Sequence, residues 1–282
     1  IAGLHLWYQV KFDEGTDLQE AARRLSQLGE ISKVQGNSRI KRAYNPKSRR
    51  SYVSQAALQQ RAATRSGVAA GRFSDPGLAY QWHYTNSGNN AFDKTNSTGE
   101  TLAGSIAGCD VGCYEAWQKC TGDPSVIVAV LDDGVMYTHP DLAGNIWVND
   151  KEELYAGTDA DGNGYKDDRY GYNFVHNTAA ISWTDVSDIG HGTHVSGTIA
   201  AMNNGYGVCG IAGGDGTKDS GVKIMICQVF AGENSVSLNG EAQAIKYAAD
   251  NGAVILQCSW GYNSSEANEV EGYSPGPDRK SV

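Results

Sequence analysis

Gly190-His191-Gly192-Thr193-His194-Val195-Ser196-Gly197-Thr198 sets two histidines among three glycines, ahead of the helix-compatible run Ile199-Ala200-Ala201-Met202. Glycine on both sides of His191 leaves room for its ring and permits backbone conformations that a Cβ resists. The pattern predicts a helix with His191 at its N-terminal mouth, a good place to hold a general base. A base of this kind needs an orienting carboxylate. Val126-Ile127-Val128-Ala129-Val130-Leu131 reads as a strand buried on both faces, with Asp132 at its carboxyl end and Gly134 in the turn. Sites in open α/β sheets collect at the carboxyl ends of strands. Asp132 can there accept a hydrogen bond from the His191 Nδ1, fix the tautomer and stabilise an imidazolium.

A second stretch points to a cation. In Asp159-Ala160-Asp161-Gly162-Asn163-Gly164-Tyr165-Lys166-Asp167-Asp168, oxygen-bearing side chains alternate at 159, 161 and 163, and glycines let the loop wrap. Hard cations such as Ca2+ take such oxygen ligands. The loop begins like an EF-hand and then departs, since Tyr170 stands at the twelfth place instead of a bidentate glutamate. Asp167 or Asp168 would supply a later oxygen, and Tyr165 a carbonyl. The alternative is an acidic, glycine-rich turn without an ion. A bound ion here would serve stability, not chemistry.

V-A-V-L-D-D-G at 128–134, H-P-D-L at 139–142 and H-G-T-H-V-S-G-T at 191–198 together resemble the subtilisin-like serine proteases, in the order aspartate then histidine. Val254-Ile255-Leu256-Gln257-Cys258-Ser259-Trp260-Gly261 is similar to a third block of that family. The resemblance implies that Asp132 is the triad aspartate, His191 the base and His194 structural. It implies that Ser259, Trp260 and Gly261 pair with the substrate backbone and wall its pocket, with Trp260 narrowing or flattening it. Loops similar to 159–168 occur in bacterial members between the aspartate and histidine motifs, which favours calcium here.

The family's nucleophile motif, G-T-S-x-A/S, does not occur in the 282 residues. Asn263 stands too close to Ser259 for the oxyanion asparagine, and Ser264 and Ser265 lack a glycine-rich turn. The expectation is therefore a propeptide plus the N-terminal part of a catalytic domain, inactive alone. The missing C-terminal part is a candidate second chain. The rival is a non-catalytic pseudoprotease or binding fragment.

The elements that must position these residues follow a β-α-β rhythm. Strands are predicted at 222–229 and 253–259, with a helix over 241–250 whose apolar face is Ala242, Ile245 and Ala249. The fold class is α/β, a doubly wound parallel sheet, with a small N-terminal α+β domain. That domain, residues 1–45, would hold strands at 4–12, 31–34 and 39–44. Its helix would open on a capping box of Thr16 and Gln19, bury Leu18, Ala21, Ala22, Leu25 and Leu28, and stop at Gly29. A propeptide of this kind precedes the catalytic domain in the family and inhibits it. An unrelated interaction domain is the other reading. Residues 46–74 read as a linker containing a helix over 56–64. A maturation cut is expected between Arg65 and Asp75, where the family's propeptide tail crosses the active-site cleft. Residues 75–282 read as the catalytic portion.

Charge divides along the same line. Residues 1–75 carry 13 Lys+Arg against 6 Asp+Glu, a balance of +7, and the rest carries −16. A basic leader on an acidic body favours docking, and the net charge of −9 argues against a nucleic-acid partner. No apolar run is long enough to cross a membrane. Cys109, Cys113 and Cys120 lie close enough for a disulfide in an oxidising compartment, whereas Cys227 and Cys258 read as buried strand residues. Secretion or the cell surface is the expected location, and peptides or proteins the expected substrates.

Overall fold

The computed structural model describes residues 8–37, 39–42, 73–86, 108–185, 188 and 190–261. The expectations for residues 4–7 and 43–72 and for the tail beyond 261 lie outside them.

A four-stranded parallel sheet organises the body. Its strands are β2 (Ile127–Asp132), β3 (Gly171–Asn173), β4 (Lys223–Gln228) and β7 (Ile255–Cys258), in the order β3-β4-β2-β7. β2 and β4 lie in register, Val128 beside Ile224 and Asp132 beside Gln228. Side chains alternate across a strand, so each central strand feeds two cores. Ala129, Leu131, Met225 and Cys227 join one cluster, while Val128, Val130, Ile224 and Ile226 join the other. Helices cover both faces: α3 (His191–Ala200) packs with the second cluster through Val195, Ile199 and Ala200, and α4 (Leu238–Asp250) with the first through Ala244, Tyr247 and Ala248. This is the doubly wound arrangement that the apolar runs imply. A smaller cluster of Leu78, Tyr84, Trp117 and Cys209 gathers around α2 (Cys113–Trp117).

Three local expectations differ. α4 starts at Leu238, and Ala244, Tyr247 and Ala248 are its buried residues, while Ile245 and Ala249 are exposed. The 242/245/249 stripe is about one residue out of phase with the real face. α1 (Leu18–Leu25) is capped by Asp17, whose carboxylate accepts from the Gln19 and Glu20 amides, not by a Thr16–Gln19 box. It ends at Leu25 and buries no residue. Residues 8–12 and 31–34 form no strand.

The leader meets the body around residues 37–42. β1 (Lys41–Arg42) pairs antiparallel with β8 (Trp260–Gly261), Arg42 opposite Trp260 and Lys41 opposite Gly261. Arg39 bridges Ser237, and the short ribbon of β5 (Phe230–Ala231) and β6 (Asn234–Ser235) lies just before α4. Ile40 is 1 % exposed within the first core cluster. The six cysteines are free thiols, with Cys227 buried and Cys258 half-buried.

Candidate active site

Asp132 is the last residue of β2 and is completely buried. His191 is the first residue of α3, entered through Gly190 with φ 73°, a left-handed conformation natural to glycine. The His191 Nδ1 lies 2.9 and 3.0 Å from the two carboxylate oxygens of Asp132. The Asp133 amide donates to Asp132 Oδ1 at 2.8 Å. A hydrogen bond from the ring requires the proton on Nδ1, which leaves Nε2 as the base. The imidazole is 22 % exposed, so it faces accessible space.

Two glycines hold this geometry. The Gly192 amide donates to Asp133 Oδ1, and a Cβ at Gly192 would lie 2.5 Å from the Asp133 carbonyl oxygen. The helix mouth is therefore pressed against the end of the strand. At Gly134 a Cβ would lie 1.4 Å from the Ser182 carbonyl oxygen. Gly134→Ala is accordingly expected to destabilise the fold by about 2–4 kcal/mol, because backbone must move. A urea midpoint equal to that of the parent protein would refute the tight turn. Asp133 thus anchors the helix, a role that its identity alone did not announce. His194 is exposed.

Ser259, Trp260 and Gly261 follow β7 directly. The Trp260 Nε1 donates to the Leu131 carbonyl at 2.9 Å, and the ring packs on the first core cluster. The indole is thus tied to the residue before Asp132. Gln257 Nε2 donates to Ser259 Oγ at 3.2 Å. The backbone of Trp260 and Gly261 is the part that pairs with another strand.

The acidic loop closes around a residue outside it. Glu152, Asp161 and Asp168 bring carboxylate oxygens within 4.8 Å of one another. Glu152 and Asp168 are fully buried. Asp159 accepts from the Asn163 and Gly164 amides, Asp167 from the Gly157 amide, and Glu152 from the Ala160, Asp161 and Asp167 amides. Asn163 turns its amide nitrogen toward Asp161 and Asp168 and accepts from the Tyr165 amide through its oxygen. The Tyr165 ring stacks edge-on with Tyr172 and Tyr247. Burial pushes the Asp168 carboxyl up, opposed by hydrogen bonds from Tyr247 at 2.7 Å and from Asn163. Asn149 donates to both Asp161 and Asp168. Sequence spacing missed Glu152, Asn149 and Tyr247, which come from outside the loop.

Near the helix end, burial pushes Asp141 up to about 7 although the Val208 amide donates to it, and the nearby Asp75 charge adds to the rise. A carboxyl raised above its unfolded value contributes stability fully below about pH 4 and loses it as pH climbs through about 7. Asp141→Asn should therefore flatten the fall in melting temperature between pH 4 and 8. An unchanged slope in thermal melts across that range would contradict this assignment.

The sequence profile of the subtilase family matches residues 123–280, more than half of the chain. The chain belongs to the subtilase family. Subtilisin-like protease 1 of Plasmodium vivax is 38 % identical over 139 residues, covering 48 % of this chain and 20 % of the relative. Fervidolysin of Fervidobacterium pennivorans is 34 % identical over 175 residues, covering 58 % and 20 %. A solved serine protease of Aeromonas sobria is 26 % identical, with a TM-score of 0.42, covering 68 % of this chain and 27 % of that one. The matches span about a fifth of the length of the first two relatives. The subtilase profile covers β2, the helix mouth at His191 and the 254–261 block. It does not cover the leader.

Proposed function

We propose that this chain supplies the aspartate and histidine of a subtilisin-type serine endopeptidase. The observation that carries the reading is the contact of His191 Nδ1 with both Asp132 oxygens, at 2.9 and 3.0 Å, at the carboxyl end of a parallel strand. His191 Nε2 takes the proton of a serine hydroxyl as that oxygen attacks the peptide carbonyl. The same proton then passes to the leaving amine, and an acyl-enzyme forms. Asp132 holds the tautomer and stabilises the imidazolium. The backbone of Ser259 to Gly261 aligns the substrate.

The serine comes from sequence beyond the 282 residues, either in the same polypeptide or in a second chain. Val254, Ile255 and Leu256 support this, since they are apolar yet 68 %, 50 % and 36 % exposed at the start of β7, an edge strand of the described sheet. On this reading the 282-residue chain alone is inactive. The leader acts as an intramolecular inhibitor, and secretion is the location. A relative from Natrialba magadii is named an extracellular serine protease, and among the described residues no helix is long and apolar enough to cross a membrane.

Glu152, Asp161 and Asp168 would hold Ca2+. They fit a divalent cation because three carboxylates converge, two of them fully buried, and none has an ion-pair partner among the described residues. Burying such charge without a counter-ion is costly. The ion would fasten the 152–168 loop to the body.

The alternative reading is a binding protein that keeps the fold without catalysis. Hydrolysis of a quenched fluorescent peptide by the protein purified from its source separates the two. Turnover lost after fluorophosphonate treatment supports the protease. No turnover with or without calcium supports the binding protein.

A further inference from the structure

Gln228 is the last residue of β4 and is completely buried. β2 and β4 pair in register, so Gln228 lies directly beside Asp132. Side chains alternate along a strand. Val128 and Val130 on β2, and Ile224 and Ile226 on β4, join the core cluster packed by α3. Asp132 and Gln228 end these two rows, on the face where His191 opens α3. The register of the sheet thus sets a buried amide beside the candidate dyad.

That amide grips one peptide unit. Its Oε1 accepts from the Ser182 amide at 3.0 Å, and its Nε2 donates to the Ser182 carbonyl at 3.0 Å. Two residues facing each other in an antiparallel ladder exchange both bonds in the same manner. Nε2 also lies 2.9 Å from Ser182 Oγ and 2.9 Å from the Phe230 carbonyl. The Ser182 hydroxyl in turn donates to Asp185. The gripped carbonyl is the atom that meets Gly134. A Cβ at Gly134 would lie 1.4 Å from the Ser182 oxygen and 3.1 Å from the Trp183 nitrogen. Gly134 follows Asp133, whose amide donates to Asp132 and whose carboxylate accepts from the Gly192 amide in the first turn of α3. A peptide seated this closely leaves the 133–134 turn no room to lift. Without the grip, the buried Ser182 amide and carbonyl lose their partners and are driven toward water.

We propose that Gln228 is a positioning residue for the His191–Asp132 pair, acting through Ser182 and Gly134. The Ser182 peptide presses on Gly134, and the turn presents Asp133 both to Asp132 and to α3. A neutral amide suits the place, since a charged side chain there would be buried beside the Asp132 carboxylate. The inference rests on the reading of Asp132 and His191 as the catalytic pair.

The test compares three variants of the complete protein by steady-state kinetics on one peptide substrate, each below the onset of its melting transition. Gln228→Met keeps the length of the side chain and removes its strong donors and acceptors. Gln228→Asn keeps the amide, shortens its reach by a methylene and serves if the first variant does not fold. Asn145→Ala is the control, because buried Asn145 donates to the Ala200 and Gly213 carbonyls at the far end of the same helix. A misplacement of about 1 Å can cost about 100-fold in rate. Gln228→Met is accordingly expected to lower kcat about 100-fold and Gln228→Asn about tenfold, each with KM within about twofold. Asn145→Ala should lose stability and keep kcat within about threefold. A parent-like kcat in the Gln228 variants overturns the proposal, and so do equal losses in the Gln228 and Asn145 variants.

The imidazole gives a second readout that needs no serine. In the 282-residue chain, the proton resonance of the His191 Nδ1–H is assigned by its loss in His191→Ala. It is expected to persist in Asn145→Ala and to broaden away in either Gln228 variant, as that proton opens to exchange with water. A resonance equally sharp in the parent chain and the Gln228 variants overturns the positioning role. Broadening in the Gln228 variants, together with full peptide hydrolysis by His191→Ala, would sink the protease reading and leave the positioning role standing.

Discussion

His191→Ala is expected to cut peptide hydrolysis by the complete protein about 10^6-fold, and Asp132→Asn about 10^4-fold, with the loss in kcat and not in KM. The asymmetry follows from geometry. Removing the imidazole removes the only proposed acceptor for the serine proton. Asparagine at 132 keeps the shape and can still accept from the Asp133 amide, but it offers one oxygen where His191 meets two at 2.9 and 3.0 Å. Its amide nitrogen favours the tautomer with the proton on Nε2, which cannot act as the base. The double variant should be no slower than His191→Ala, since the two residues act as a unit. Steady-state kinetics with one peptide substrate decides this. Losses below about tenfold for both variants would remove the dyad from the mechanism.

Calcium removal should have the next largest effect. A ligand present at about 100 times its dissociation constant stabilises by about 2.7 kcal/mol, and each kcal/mol moves the midpoint of a chain this size by about 2–4 °C. EGTA should therefore lower the melting temperature by about 5–10 °C. Glu152→Gln should abolish most of that response, because Glu152 is one of three converging carboxylates and is fully buried. Asp159→Asn should keep most of it, because Asp159 lies outside the three converging carboxylates. Melts by differential scanning calorimetry with and without 5 equivalents of EGTA over bound metal (about fivefold excess, ample for a tight chelator) make the comparison. Identical curves would assign the acidic loop to an ion-free turn.

The parts of this protein that were legible in its sequence are those that repeat locally. The apolar runs around 126–132 and 222–229 announced central strands because both faces are buried. Asp132 and His191 were legible because each sits at the end of one regular element, where glycine marks the turn. The rest depended on contacts between distant segments. Glu152 joins Asp161 and Asp168 from a turn with no spacing signature. Tyr247 reaches Asp168 across 79 positions, from a helix whose apolar stripe reads one residue out of phase. Arg42 and Asp188 are 146 positions apart, and each alone looks like an ordinary surface charge. Alternation over residues 4–12 suggested a strand, but its described part, residues 8–12, pairs with nothing among the described residues, and a strand without a partner is not stable.

Intact-mass analysis of the protein purified from its source, after reaction with a fluorophosphonate serine probe, is the measurement to make first. One covalent label is expected, on a serine outside the 282 residues, in the same polypeptide or in one that co-purifies with it. The label should be absent from His191→Ala. A label that persists in His191→Ala, or a protein that takes none in the presence of calcium, would contradict a serine nucleophile served by His191 and Asp132.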